Sequence, residues 1–306
     1  MGLTYCVLPQ RPVIGSLYSV QVTAANLARR VGEAVDRLNG RAGVHLRHLV
    51  TGEEVSVNAD ATFPAACMIK VPILLTLLQR VIDGEVDWDS RLTVTPDHAY
   101  GLDQVVDRLR IGSQIDLAEL VHLMISVSDV AAGLWCQEVA GGGERVNAWL
   151  IDHGYAMTRI NSRTPGREAD FERWGWGQTT PREACDLLIS IRERQAVSPA
   201  ADAHADRILA ATLFIQDSIA ALPTDVHVIN KTGAVSGSRS EVILASTPVG
   251  AFASCVMTDE LVDESWGLDN EGMALLREVT ALAWEHWGAG ALTSPPAPWP
   301  PVGVHS

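Results

Sequence analysis

Cys67 and Lys70 form a C-x-x-K step inside Phe63-Pro64-Ala65-Ala66-Cys67-Met68-Ile69-Lys70-Val71-Pro72, at the start of an apolar run. On a helix, positions three apart share a face, so the thiol and the amine meet. An ammonium beside a thiol lowers its pKa, and a neutral amine can take a nucleophile's proton. Alone, the step also describes a buried cysteine with a lysine reaching towards solvent. Lys70 and Lys231 are the only lysines in the 306-residue chain; every other basic side chain counted in Lys+Arg 23 is arginine. Arginine cannot stand in where the group must lose a proton. Two lysines kept against that bias point to two sites that need an amine.

The elements around these residues have to hold them together. The spacing predicts a helix over 22–38 with Thr23 as cap, then a hairpin over 43–49 and 54–58. A buried helix is expected over 68–82, because its residues are apolar almost all round. Further helices are expected over 117–126, 131–140 (closed by Gly141-Gly142-Gly143), 145–152, 181–194 (capped by Thr180) and 201–215. Strand character returns over 226–230, 239–246 and 250–257, and a helix over 271–287 closes the pattern. Residues 160–180, rich in Gly, Trp and acidic side chains, read as a long irregular loop walling a site. The fold class is therefore α/β (α+β). An antiparallel sheet with flanking terminal helices, from residues 1–60 and 208–306, carries an inserted helical domain over 61–207.

Composition narrows the function. A net charge of −14 argues against nucleic-acid and anionic-membrane partners. Residues 1–21 lack the basic and apolar regions of a secretory signal, and no apolar run is long enough to span a bilayer. Five cysteines without a C-x-x-C pair suit a reducing compartment, so a cytoplasmic setting is expected. His45 and His48, three apart on a strand, point to opposite faces and share no metal. No metal or cofactor is called for. The proline-rich stretch 295–301 reads as a loose tail.

Three stretches then line up in order: Cys67-x-x-Lys70, Ser128-Asp129-Val130 in the turn between two helices, and Lys231-Thr232-Gly233 after a strand. In order, spacing and context they resemble the class A β-lactamase and penicillin-binding-protein family, whose first motif carries serine. Phe-Pro-Ala-Ala before the nucleophile, Thr179-Thr180-Pro181 after the loop and Gly237-Ser238-Arg239 add to the likeness, which runs from about residue 24 to 287. The resemblance implies that Cys67 is the nucleophile, Lys70 the proton-transferring amine, and Ser128 the relay to the leaving group. It implies that Lys231 lowers the potential near Ser128 and attracts a substrate carboxylate, that Thr232, Gly233 and Arg239 help bind it, and that the backbone N–H groups of Cys67 and Ala234 form an oxyanion hole.

Three departures redirect the expected activity. Sulfur replaces oxygen, giving a thioester intermediate open to amines and thiols. Val130 stands where the family has a substrate-gripping asparagine. The loop glutamate that positions a deacylating water has no counterpart: Glu168 and Glu172 do not fit its pattern. The expectation is an acyl-transferring, cyclising or amide- or thioester-cleaving enzyme of small-molecule biosynthesis. Its partner would be a small acyl substrate bearing a carboxylate, or a carrier-protein or coenzyme A thioester, with Trp174 and Trp176 shaping an apolar acyl pocket. The alternatives are a class A β-lactamase, natural or with its serine exchanged for cysteine, a non-catalytic binding protein, and a lyase or isomerase using Lys70 as base.

Overall fold

A computed structural model describes residues 24–288. The expectations for residues 1–21, for Thr23 as cap and for the 295–301 tail lie outside them. Helix α1 (Ala24–Asp36) buries Leu27, Val31 and Ala34. Strands β1 (Arg41–His48) and β2 (Glu54–Val57) form the expected hairpin, pairing Val44 with Val57 and Leu46 with Val55. Near the end of the chain come β8 (Val228–Val235), β9 (Ser238–Thr247), β10 (Gly250–Asp259) and α9 (Glu271–Trp287). The sheet runs β2-β1-β10-β9-β8 and is antiparallel throughout, with β8 at its open edge.

Each sheet face buries a separate apolar core. On one, α1 and α9 cover Val44, Leu46, Ile243 and Phe252 with Leu27, Val31, Leu276 and Val279. Arg37 joins the two helices through Glu278 at 2.6 Å. On the other, Val242, Leu244, Ala253 and Cys255 meet the helical part of the chain. That part contains β3 (Phe63–Pro64), a 3-10 turn (Ala66–Ile69), α2 (Lys70–Ile82), the β4 (Arg91–Thr93) and β5 (Gln114–Asp116) ribbon, α3 (Leu117–Ser126), α4 (Val130–Val139) and α5 (Gly142–Asp152). It continues through β6 (Arg159–Ile160), α6 (Glu168–Trp174), β7 (Gly177–Thr179), α7 (Pro181–Arg192) and α8 (Pro199–Ala210). Helix α2 is buried at every position from Lys70 to Leu78, as its all-round apolar pattern requires.

The structure corrects several element assignments. The 160–180 segment is not an open irregular loop: β6 and β7 pair at its base, and α6 spans its middle. Helix α6 buries none of its residues, so it leaves no apolar stripe in the sequence. Its Glu168 and Asp170 occupy the first turn, where carboxylates suit the helix dipole. The glycine run closes α4 as expected, the Gly141 N–H donating to the Glu138 carbonyl at 2.9 Å, and it also opens α5. Gly141 caps that helix at φ +98°, and a Cβ on Gly143 would collide with the Thr164 hydroxyl. Helix α8 starts earlier than expected, at Pro199 with Ser198 as cap, and stops at Ala210. Beyond it the chain turns to the α3 end, where the Leu213 N–H donates to the Ser126 carbonyl at 2.9 Å. Pro181 and Thr180 start α7 as expected, with the Thr180 hydroxyl accepting from the Glu183 N–H. Among the described residues no helix is long and apolar enough to cross a membrane.

Candidate active site

Cys67 lies in the 3-10 turn that leads into α2, and Lys70 is the first residue of that helix. The preceding Ala66 has φ +44°, in the left-handed region that a side chain disfavours. The strained turn leaves Cys67 half-buried while Lys70 is fully buried. Lys70 Nζ lies 3.3 Å from Cys67 Sγ, 2.6 Å from the Ser128 carbonyl and 3.1 Å from Ser128 Oγ. These three acceptors match the three protons of an ammonium.

Ser128 sits between α3 and α4 at φ +54°, a second strained residue. Asp129 holds it there. Its buried carboxylate accepts from the Ala132 N–H at 2.7 Å, capping α4, and from the Val105 and Val106 N–H groups at 2.7 and 3.2 Å. From the sheet edge, Lys231 Nζ donates to Ser128 Oγ at 2.9 Å and to the Thr232 carbonyl at 3.1 Å. The two lysines thus converge on one hydroxyl. Gly233 lets β8 approach the nucleophile turn: a Cβ there would lie 2.6 Å from the Ala65 carbonyl oxygen and 3.2 Å from the Met68 nitrogen. Ala234 follows it on β8, the strand that packs against the nucleophile turn.

Burial pushes the Cys67 thiol up, but the Lys70 and Lys231 charges and the hydrogen bonds from Ser128 and Lys70 outweigh it, so the thiol ends below its ordinary value. Burial lowers Lys70, and the Cys67 sulfur and Asp129 partly offset this. Burial also brings Lys231 down to about 7, with the Lys70 charge acting in the same direction. Cys136 lies in α4 near Lys70, but desolvation raises its thiol above the ordinary range, so it competes poorly as a nucleophile.

The remaining candidates divide. Trp176 joins the site, with its ring centroid 5.3 Å from Lys70 Nζ and its indole N–H donating to Gln137 Oε1 at 2.8 Å. Trp174 does not: it ends α6, with the Arg173 guanidinium 4.4 Å over its ring. Gly175 between them, at φ +68°, ends α6. Thr232 pairs with Glu241 and so shares that residue's sheet face, reaching Lys231 through its carbonyl. Val130 opens α4, and its N–H lies 3.4 Å from Gln104 Oε1, an amide brought from a separate loop.

Arg239 is the principal correction. It is buried, pairs with Ala234 and faces α9, where a Cβ on Gly272 would lie 3.0 Å from its own Cβ. Its Nη1 donates to the Val235 and Ser238 carbonyls at 2.6 and 2.7 Å, and its Nη2 to the Glu264 and Ser265 carbonyls at 3.0 and 2.6 Å. A guanidinium so engaged ties the loop before α9 to the β8–β9 turn and has no fork left for a substrate carboxylate. Glu168 and Glu172 are exposed on α6. Among the described residues, the polar atoms touching Cys67, Lys70 and Ser128 include no carboxylate oxygen.

Gln137, Gly133, Asp129 and Gln104 were not singled out from the sequence. Asp129 lay inside the Ser128-Asp129-Val130 motif and carried an N-cap signal before an apolar helix. The other three act through contacts between distant segments.

The beta-lactamase enzyme family profile matches residues 26–287. Beta-lactamase VEB-1 of Pseudomonas aeruginosa is 19% identical over 271 residues, covering 86% of this chain and 90% of its own. Beta-lactamase FAR-1 of Nocardia farcinica is 26% identical over 253 residues, covering 80% and 77%. Among solved structures, a mutant of PBP-A in an acyl-enzyme complex with penicillin G is 25% identical with a TM-score of 0.76, covering 91% of this chain and 98% of that one. The chain accordingly belongs to the beta-lactamase enzyme family, with the mixed α and antiparallel β architecture of its class A members.

Proposed function

We propose that this beta-lactamase-like enzyme uses Cys67 as a nucleophile and carries its acyl group as a thioester. The observation that supports this most is the chain Cys67–Lys70–Ser128–Lys231, in which a half-buried thiol lies 3.3 Å from a fully buried amine. The thiolate attacks the acyl carbon, forming the C–S bond, and the charge on the carbonyl oxygen is met by the backbone N–H groups of Cys67 and Ala234. As the bond to the leaving nitrogen or sulfur breaks, the Ser128 hydroxyl gives that atom a proton and is resupplied by the Lys70 or Lys231 ammonium. An acceptor then attacks the thioester and gives its proton to the amine, and the Cys67 thiolate leaves.

Lys231 and the β8 edge supply the attraction for a substrate carboxylate; Arg239 has no part in it. A carrier-protein or coenzyme A thioester is an acyl donor of matching reactivity, since a thiol leaving group suits a sulfur nucleophile. The setting we propose is the cytoplasm, in small-molecule biosynthesis, where the acyl-bearing thiol stays reduced; the four described cysteines are all free thiols.

A β-lactam substrate is the second reading, favoured by the likeness to the PBP-A acyl-enzyme with penicillin G. Intact-protein mass spectrometry after incubation with an acyl thioester, and separately with penicillin G, distinguishes the two. The first reading predicts rapid loading of Cys67 by the thioester and little by penicillin. Loading by penicillin, followed by release of the hydrolysed drug, would establish the second. No adduct from either donor, with activity surviving Cys67→Ala, would contradict both.

A further inference from the structure

We infer that Trp176 is a water-excluding positioning residue that directs the loaded enzyme to an amine acceptor in preference to water. This rests on the proposed thioester intermediate and extends it to the choice of acceptor. The indole forms one wall of the Lys70 chamber, its centroid 5.3 Å from Nζ. It is fixed at both ends. Its N–H donates to Gln137 Oε1 at 2.8 Å; Gln137 is buried and donates to the Ser162 carbonyl at 2.8 Å. The Trp176 carbonyl accepts from the Asn161 and Ser162 N–H groups at 2.8 and 3.0 Å. Opposite the ring, Gly133 leaves room for it: a Cβ there would lie 2.5 Å from Trp176 Cη2 and 2.9 Å from Lys70 Cε.

A hydrolytic water needs two to four polar partners to stay in place, whereas the group that takes its proton would serve an amine equally. Lys70 has all three donor directions occupied by Cys67 and Ser128, and its remaining side is covered by an aromatic face. No carboxylate among the described contacts of the site anchors a water there. An amine acceptor is held by the rest of its own molecule and arrives from the side on which Cys67 is half-exposed. Its nitrogen forms the C–N bond, the C–S bond breaks, and its proton leaves through the Ser128–Lys70 pair.

The test measures how the loaded enzyme partitions. Wild-type protein, Trp176→Ala and Trp176→Phe are loaded with an acyl N-acetylcysteamine thioester and chased with glycinamide, and free acid and amide are counted by mass spectrometry. The expected result is a hydrolysis-to-aminolysis ratio at least about tenfold higher in the Ala variant and near wild type in the Phe variant, which keeps a ring but loses the bond to Gln137. If the Ala variant does not fold, Trp176→Leu, which fills more of the space but removes the aromatic face, must raise the ratio in the same direction. An unchanged or lower ratio overturns the inference while leaving the acyl-enzyme intact. Failure of Cys67 to load in wild type overturns the parent reading first, and this one with it.

Discussion

Lys231 and Arg239 are both buried cations on neighbouring strands, one on each side of the β8–β9 turn, yet they do different work. Lys231 pairs with Val242, faces the helical part of the chain and reaches the Ser128 hydroxyl. Arg239 pairs with Ala234, faces α9 and spends its guanidinium on four backbone carbonyls. Successive strand residues alternate faces, so position along the ladder decides which charge meets a substrate. The chemistry also differs. Lys231 can lose its proton near neutrality, whereas a guanidinium stays charged and acts as a fixed tie. One face of the sheet holds the proposed proton-transfer centre; the other holds its own core together.

The largest effect expected from breaking this division is at the reactive face. Lys70→Arg keeps a charge but cannot give up the proton that resupplies Ser128, and should slow acylation of Cys67 about 10³-fold in single-turnover mass measurements. Arg239→Ala should act on the other face. It leaves four carbonyls without their donor and lowers stability by about 4 kcal/mol, read as a lower urea midpoint, while KM for a carboxylate substrate stays within about twofold. A large rise in KM would return Arg239 to the substrate site.

Glu241 sharpens the same contrast. It is fully buried beside Arg239's face, accepting from Asn230 Nδ2 at 2.6 Å and from the Ser218 N–H at 2.8 Å. Burial raises its carboxyl to about 7, against the hydrogen bonds from Asn230 and Ser218 and with a contribution from Asp217. The folded state therefore holds a proton that the unfolded chain has already lost, and stability from this group declines as pH rises from about 4.5 to about 7. Glu241→Gln should remove up to about 3 kcal/mol of that slope in urea titrations across the window. Lys231 has the opposite sense: its folded value lies below its unfolded one, so its contribution to stability rises between about 7 and 10.5. Its cation is lost as pH climbs through about 7, so KM for a carboxylate substrate should rise by up to about tenfold per pH unit above that point. Lys231→Arg should flatten the rise.

Local signals predicted the elements best. Helices over 117–126 and 271–287 appear with the bounds expected, because Asp116 with Glu119, and Asn270, cap them from nearby in the chain. The two lysines met Ser128 because each motif sits at a turn or strand that its own neighbours determine. Arg239 was misassigned because two of its four acceptors, Glu264 and Ser265, come from a loop 25 and 26 residues further on. Trp174 and Trp176 lie on either side of the α6 cap at Gly175 and meet different cations, Arg173 and Lys70. The Gly133–Trp176 contact and the Gly143–Thr164 contact are likewise invisible to any short window of sequence.

The most direct test of the account is the pH dependence of Cys67 alkylation by iodoacetamide, followed by peptide mass spectrometry. Among the four described cysteines Cys67 is partly exposed and the other three are buried, and the peptide map reads its label separately from that of Cys6. The account predicts a labelling midpoint below the roughly 8.5 of an ordinary thiol, moved upward by Lys70→Met. A midpoint at or above the ordinary value, and unmoved when Lys70 is replaced, would contradict it.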